Sequence, residues 1–328
     1  MHKVHSLLES SQRLPHLDGD NANITLEPNS LDFLSRSEQM PIVSANAYLG
    51  YRAIKAALDA GADIIICGRV ADASPVIAAA AWWHGWYENE FDKLAGALVA
   101  GHLIECSSYV TGANFAGADE YAVEEFVNLG LPIAEIDNRG ECVITKHEQL
   151  GGFVTVDTVK CQFLYELQGN MYLNSDVKAY LSAVTIHQES RNRVRLSGIK
   201  GLPPPPTTKL AIFYRGGYQL EILLNASGYA TSHKWDIQEA QIRNRLGKWN
   251  VLEKLDVLDF QRVGVPMENP GSQLQSTTYM RVFAQAKDPG VVAMVPKAWL
   301  HDFIRCVSFH CDSTTRQVDG RPMEAMRN

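Results

Sequence analysis

With 328 residues, 46% apolar and 20% charged, the chain suits one large or two ordinary globular domains and is not of disordered composition. A net charge of −7 and a pI of about 5.8 argue against a nucleic-acid coat, which carries a basic surplus. No run reaches the length of a membrane span, the polar start lacks a signal peptide's apolar core, and the cysteines at 67, 106, 142, 161, 306 and 311 read as reduced thiols. The expectation is a cytoplasmic protein with no nucleic-acid or membrane partner.

Residues 1–40 are poorly patterned; "LDGDNANITLEPNS" is loop chemistry. "PIVSA" reads as a short strand. "YLGYRAIKAALDAG" reads as a helix stopped by Gly61. "DIIICG" is a continuous β-branched run, the pattern of a strand buried on both faces. A second helix follows from Pro75 and a third spans roughly 91–108. "PIAEID" and "ECVITK" are strands about the turn "NRG", and the second half of "FVTVDTVKCQFLYELQG" is helical. This alternation predicts an α/β fold over 41–185, a largely parallel sheet flanked by helices. Residues 186–328 predict a smaller α+β module of ferredoxin-like type with an irregular tail. In it "GLPPPPTT" is a rigid linker, "KLAIFYRGGYQLEILL" a hairpin about Gly216-Gly217, "SHKWDIQEAQIRNRL" an amphipathic helix, and "VLDFQRVGV" and "TTYMRVFAQAK" further strands.

Ligands in open α/β sheets bind beyond the strand ends. "GRVADASP" lies at such an end: Gly68 lets a ligand approach the backbone, Arg69 is a forked donor, and Asp72, Ser74 and Pro75 suit a helix start that favours anions. The alternative is a structural Arg69–Asp72 ion pair. His102 and Glu105, three apart on a helix, are an acid–base pair, half a metal site, or a histidine held by its own glutamate. No third ligand is spaced for a metal, so none is expected, and the sequence requires no cofactor. Thr111, Gly112 and Asn114 form a polar turn, and Gly151-Gly152 is either an anion cradle or a tight turn. Lys209 and Arg215 fall on one face of the expected hairpin, either holding an anion or solvated. His301, Cys306, His310 and Cys311 match no zinc spacing. Trp82, Trp83 and Trp86 read as core and rim packing.

"VSANAYLGYRAIKAALDAGADIIICGRVADAS", "LAGALVAGHLIECSSYVTGANF", "LGLPIAEID", "GGFVTVDTVKCQFLYEL" and "VRLSGIKGLPPPPTTKLAIFYRGGY" occur in this order. Together, over roughly 41–285, they resemble the acyclic terpene utilisation (AtuA) family. The resemblance implies α/β proteins of acyclic terpene breakdown, a route through acyl-CoA thioesters. Against the family pattern the chain reads as shortened at both ends, with 41–185 the remnant of a larger domain. The expectation is an enzyme of isoprenoid or branched acyl catabolism, a lyase or hydratase on an unsaturated acyl-CoA. Asp72, His102 or Glu105 would move the proton; Arg69 and Lys209 or Arg215 would bind anionic groups. The alternative is a non-catalytic binding or scaffold subunit, or an inactive shortened member. Self-association or a small partner subunit is compatible with either.

Overall fold

The computed structural model describes residues 41–113, 115–167, 169–265, 267–303 and 322–325. They divide into two compact units: Asn46–Ala211, and the described parts of Met1–Ala45 with Ile212–Asn328.

The first unit is built around one helix. Ahead of it in the chain lie α1 (Arg52–Asp59) and α2 (Ser74–His84), preceded by β1 (Ile42–Ala47), a strand of the second unit's sheet. The central helix, α3 (Phe91–Ile104), has every residue from Leu94 to Leu103 buried, so it is covered on all faces. Its small residues permit this. A Cβ on Gly101 would lie 2.6 Å from that of Ala73, which is how closely the start of α2 approaches. Around it pack β2 (Pro132–Ile136), β3 (Cys142–Lys146), α4 (Val156–Leu164), β4 (Met171–Leu173), β5 (Lys178–Tyr180), β6 (Thr185–Ser190), β7 (Arg193–Ser197) and β8 (Lys200–Leu202). The strands form two sheets, ordered β2-β3-β7-β6 and β4-β5-β8.

In the second unit β9 (Leu210–Ala226) pairs with β11 (Thr278–Ala286), which pairs with β10 (Val257–Val263), in the order β1-β9-β11-β10. β12 (Pro322–Ala325) also pairs with β9. Trp235, Ile242 and Leu246 of α5 (Thr231–Lys248) are buried in a core with Ile222, Leu224, Met280 and Val282 of the sheet. The short helices α6 (Gln273–Ser276) and α7 (Pro289–Val292) and the helix α8 (Met294–Phe303) complete the unit. None of the described helices is long and apolar enough to cross a membrane.

Three expectations are corrected. The predicted largely parallel sheet does not form: among the described residues all three sheets are antiparallel, and parallel pairing is confined to isolated bridges at Leu49–Val70 and Leu129–Gly151; the second unit is an antiparallel α+β module. "DIIICG" is not a strand. Ile64 is 83% and Ile66 94% exposed; Ile65 packs on the core, and the strand-like backbone bonds to Leu49 come from Arg69 and Ala71, beyond the run. An apolar run shows that side chains favour burial; a strand also needs a partner for its N–H and C=O groups. The hairpin about Gly216-Gly217 is instead the middle of β9. Gly217, at φ +126°, serves a close approach there: a Cβ would lie 2.7 Å from the carbonyl oxygen of Ala286.

One buried carboxylate ties the starts of α1 and α2 together. Asp176 Oδ2 accepts from the Tyr51 N–H at 2.8 Å and from the Ser74 hydroxyl at 3.2 Å. It reaches them because residue 50 is glycine, whose Cβ would lie 1.8 Å from Asp176 Oδ1. Gly50→Ala is therefore expected to lose about 2 kcal/mol in urea unfolding, an overpacking cost. Burial raises the Asp176 carboxyl above its ordinary 3.8. Its contribution is then full below the unfolded-state value and is lost as pH rises through the folded-state value. Asp176→Asn should remove that slope, so its stability relative to the wild type should improve as pH is raised from acid to neutral.

Candidate functional site

His102 enters the core because α3 is buried on all faces, and it is only 2% exposed. Its Nδ1 lies 3.3 Å from Glu105 Oε1, one turn further on. Its carbonyl accepts from the Gln162 side-chain amide at 3.0 Å, which fixes the end of α3 against α4. Nε2 of His102 and Oε2 of Glu105 are buried without a hydrogen-bond partner among the described residues. With Nδ1 as donor to the carboxylate, Nε2 carries the lone pair, the arrangement of an oriented base. An unsatisfied buried polar atom costs about 1–3 kcal/mol, a cost that a ligand offering the missing partner removes.

Tyr172 of β4 meets the His102 ring edge-on, with centroids 5.3 Å apart. Burial first, and then the carboxylates of Glu105, Asp72 and Glu166, push its phenol well above the ordinary tyrosine value, so it stays protonated at neutral pH. Of the predicted proton-handling residues, His102 and Glu105 are thus in contact beside this phenol, and the charge of Asp72 acts on it. Cys106 joins them, its thiol raised chiefly by burial and lowered in part by Gln162. Two non-glycine residues at positive φ border the group, Ser107 at 55° and Glu166 at 61°, a conformation that is locally strained.

The other predicted residues fall in three places. Arg69 is exposed and pairs with no carboxylate among the described residues; its guanidinium lies over the Tyr48 ring at 5.3 Å. Lys209 Nζ lies over the same ring at 4.9 Å. Gly68 is open to solvent, whereas Ser74 is fully buried and committed to Asp176. Thr111 is buried, its hydroxyl 2.6 Å from the carbonyl oxygen of Gly130, and Gly112 sits against Phe153. The N–H groups of Gly151 and Gly152 donate to the carbonyls of Asn128 and Glu125. Gly152 also helps line a cavity of about 300 Å³ at the start of α4, with Tyr121, Phe153, Thr155 and Arg191. Arg215 is an exposed residue of β9, in the second unit. Asn114, Cys306, His310 and Cys311 lie outside the described residues, as does the side chain of His301. Trp86 is buried and donates to Asn138, while Trp83 is largely exposed. No group of three or more His, Cys, Asp or Glu among the described residues is placed to hold a metal ion.

The family profile described as acyclic terpene utilisation family protein AtuA matches residues 2–327. The chain belongs to the AtuA family. Membership implies a role in acyclic terpene utilisation, and the match is wider than the stretch 41–285 that carries the resemblance. No curated protein and no solved structure shows a significant match.

Several residues of this AtuA member's site were invisible in its sequence. Tyr172, Gln162 and Glu166 lie far from His102 in the chain, and no spacing links them to it. Tyr48 and Asp176 stand in turns with no motif of their own. The thiols separate by environment, and this can be checked by timed maleimide labelling with peptide mass mapping. The exposed Cys67 and Cys161 should react first. Cys106 should lag, and Cys142, buried and pushed up to about 12, should react only on unfolding.

Proposed function

We propose that this AtuA member is an acid–base enzyme of acyclic isoprenoid or branched acyl breakdown, a lyase or hydratase acting on an unsaturated acyl-CoA. The observation carrying the reading is the His102–Glu105 pair, with an unpartnered Nε2 beside a phenol held protonated. Hydration of a conjugated thioester adds hydroxide to the β-carbon and a proton to the α-carbon. His102 Nε2 would take the proton from the attacking water and return it to the α-carbon as the enolate collapses. Tyr172 would donate a hydrogen bond to the thioester oxygen as charge develops there. Glu105 would orient the imidazole and stabilise its charged form. Because His102 is 2% exposed, substrate access to it would require a local opening of the structure around it.

The purified chain incubated with methylcrotonyl-type and geranyl-type CoA thioesters should give a product heavier by one water, followed by mass. His102→Gln is expected to lower turnover by about 10²–10⁴-fold with an unchanged melting temperature, the range for loss of a general base. Absence of any mass change with folded protein would remove the hydratase reading.

A second reading, a non-catalytic binding subunit, is favoured by the exposed Ile64 and Ile66, whose backbone pairs with no strand among the described residues. On that reading a stoichiometric partner co-purifies with the wild type and is lost with Ile66→Asp, while His102→Gln retains it.

A further inference from the structure

Arg69 and Lys209 are 140 positions apart in the sequence, yet their charged ends share one aromatic ring. The backbone explains the meeting. The Tyr48 N–H donates to the Lys209 carbonyl at 2.9 Å on one side of the chain. On the other side the Leu49 N–H donates to the Arg69 carbonyl at 3.2 Å, and the Ala71 N–H to the Leu49 carbonyl at 2.9 Å. The Tyr48 carbonyl is held in turn by the hydroxyls of Ser175 and Thr208. Residues 48–49 are thus clamped between the two segments that carry the cations, and the ring is presented to both.

Two cations beside one ring repel each other unless an anion lies near. The protein has a surplus of carboxylates, with a net charge of −7, but neither cation forms an ion pair among the described residues. The nearby Asp176 is committed to the Tyr51 N–H and the Ser74 hydroxyl. A guanidinium and an ammonium that hold their positions by stacking keep their N–H donors free for an oxyanion.

The Arg69 segment, and the segment whose Ser175 holds the Tyr48 carbonyl, also lead to the acid–base group. Asp72, which raises the Tyr172 phenol, is three residues after Arg69. Tyr172, which meets His102, is three residues before Ser175. Three residues of chain span at most roughly 10 Å. We infer that Arg69, Lys209 and Tyr48 form an oxyanion-binding end of the substrate site, which takes a terminal phosphate or carboxylate while the carbon chain runs toward His102. The inference rests on the acid–base reading for its second half only; anion binding stands or falls by itself.

Calorimetric titration at low salt with inorganic phosphate, with coenzyme A and with 3-methylbut-2-enoate separates the cases. The wild type should bind at least one of them, and more weakly as ionic strength rises. Arg69→Gln and Lys209→Gln, both at accessible positions, should each weaken binding about tenfold or more without lowering the melting temperature. His102→Gln should bind the anion as tightly as the wild type, so loss of turnover with retained binding leaves this inference intact. Coenzyme A competing with phosphate identifies a thioester's phosphates as the source; preference for the carboxylate identifies an acid group of the substrate itself. No binding of any probe by folded protein, or binding unchanged in the Arg69→Gln, Lys209→Gln double variant, overturns the assignment.

Discussion

The first unit depends on the burial of α3 on every side. A helix with polar residues on one face can lie on a surface; this one, with ten consecutive buried residues, must be enclosed. Enclosure needs close approach, and the alanines and glycines of "LAGALVAG" provide it. The sheets, α2 and α4 all pack around that helix. His102 is carried into the interior by the same constraint and is held there by Glu105 and the Gln162 amide.

The second organising contact is Asp176. A single carboxylate caps the first turn of α1 and holds Ser74 at the start of α2. Its loop joins Tyr172, on the acid–base side, to Ser175, which fixes Tyr48. The segment 69–74 does the same from the other direction, with Arg69 at one end and Ser74 at the other. Displacement of either segment would move the proton-handling group and the cation pair together. A carboxylate with two donors in a site this dry trades desolvation for position, which is why its protonation is disfavoured less than at the surface.

Membership of the AtuA family sets the biological context, and the chemistry has to be argued from side chains. On the proposed reading, the acid–base group and the cation pair would divide the tasks of a substrate site: moving a proton at one place and holding charge at another. Their residue types fit a conjugated thioester, in which a proton acceptor, a hydrogen-bond donor and an anchor for a distant anion all have uses.

Local structure was legible in the sequence wherever a local rule acts. The helix ending at Gly61, the helix from Pro75 and the antiparallel pair about "NRG" follow from periodicity, capping and turn chemistry among near neighbours; of the expected apolar face Trp235, Ile237, Ile242 and Leu246, all but the exposed Ile237 are buried. The pairing of His102 with Glu105 was legible for the same reason, since residues three apart on a helix share a face. Sheet topology was not, because it is settled by which distant backbone supplies hydrogen bonds. "DIIICG" has the composition of a buried strand and lacks a neighbour, while Gly216-Gly217 has the composition of a turn and lies within a continuous strand. Tyr172 beside His102, and Arg69 and Lys209 upon Tyr48, were decided only in three dimensions. A one-dimensional pattern records what each residue prefers as an environment; the tertiary structure alone determines which residue, many positions away, provides it.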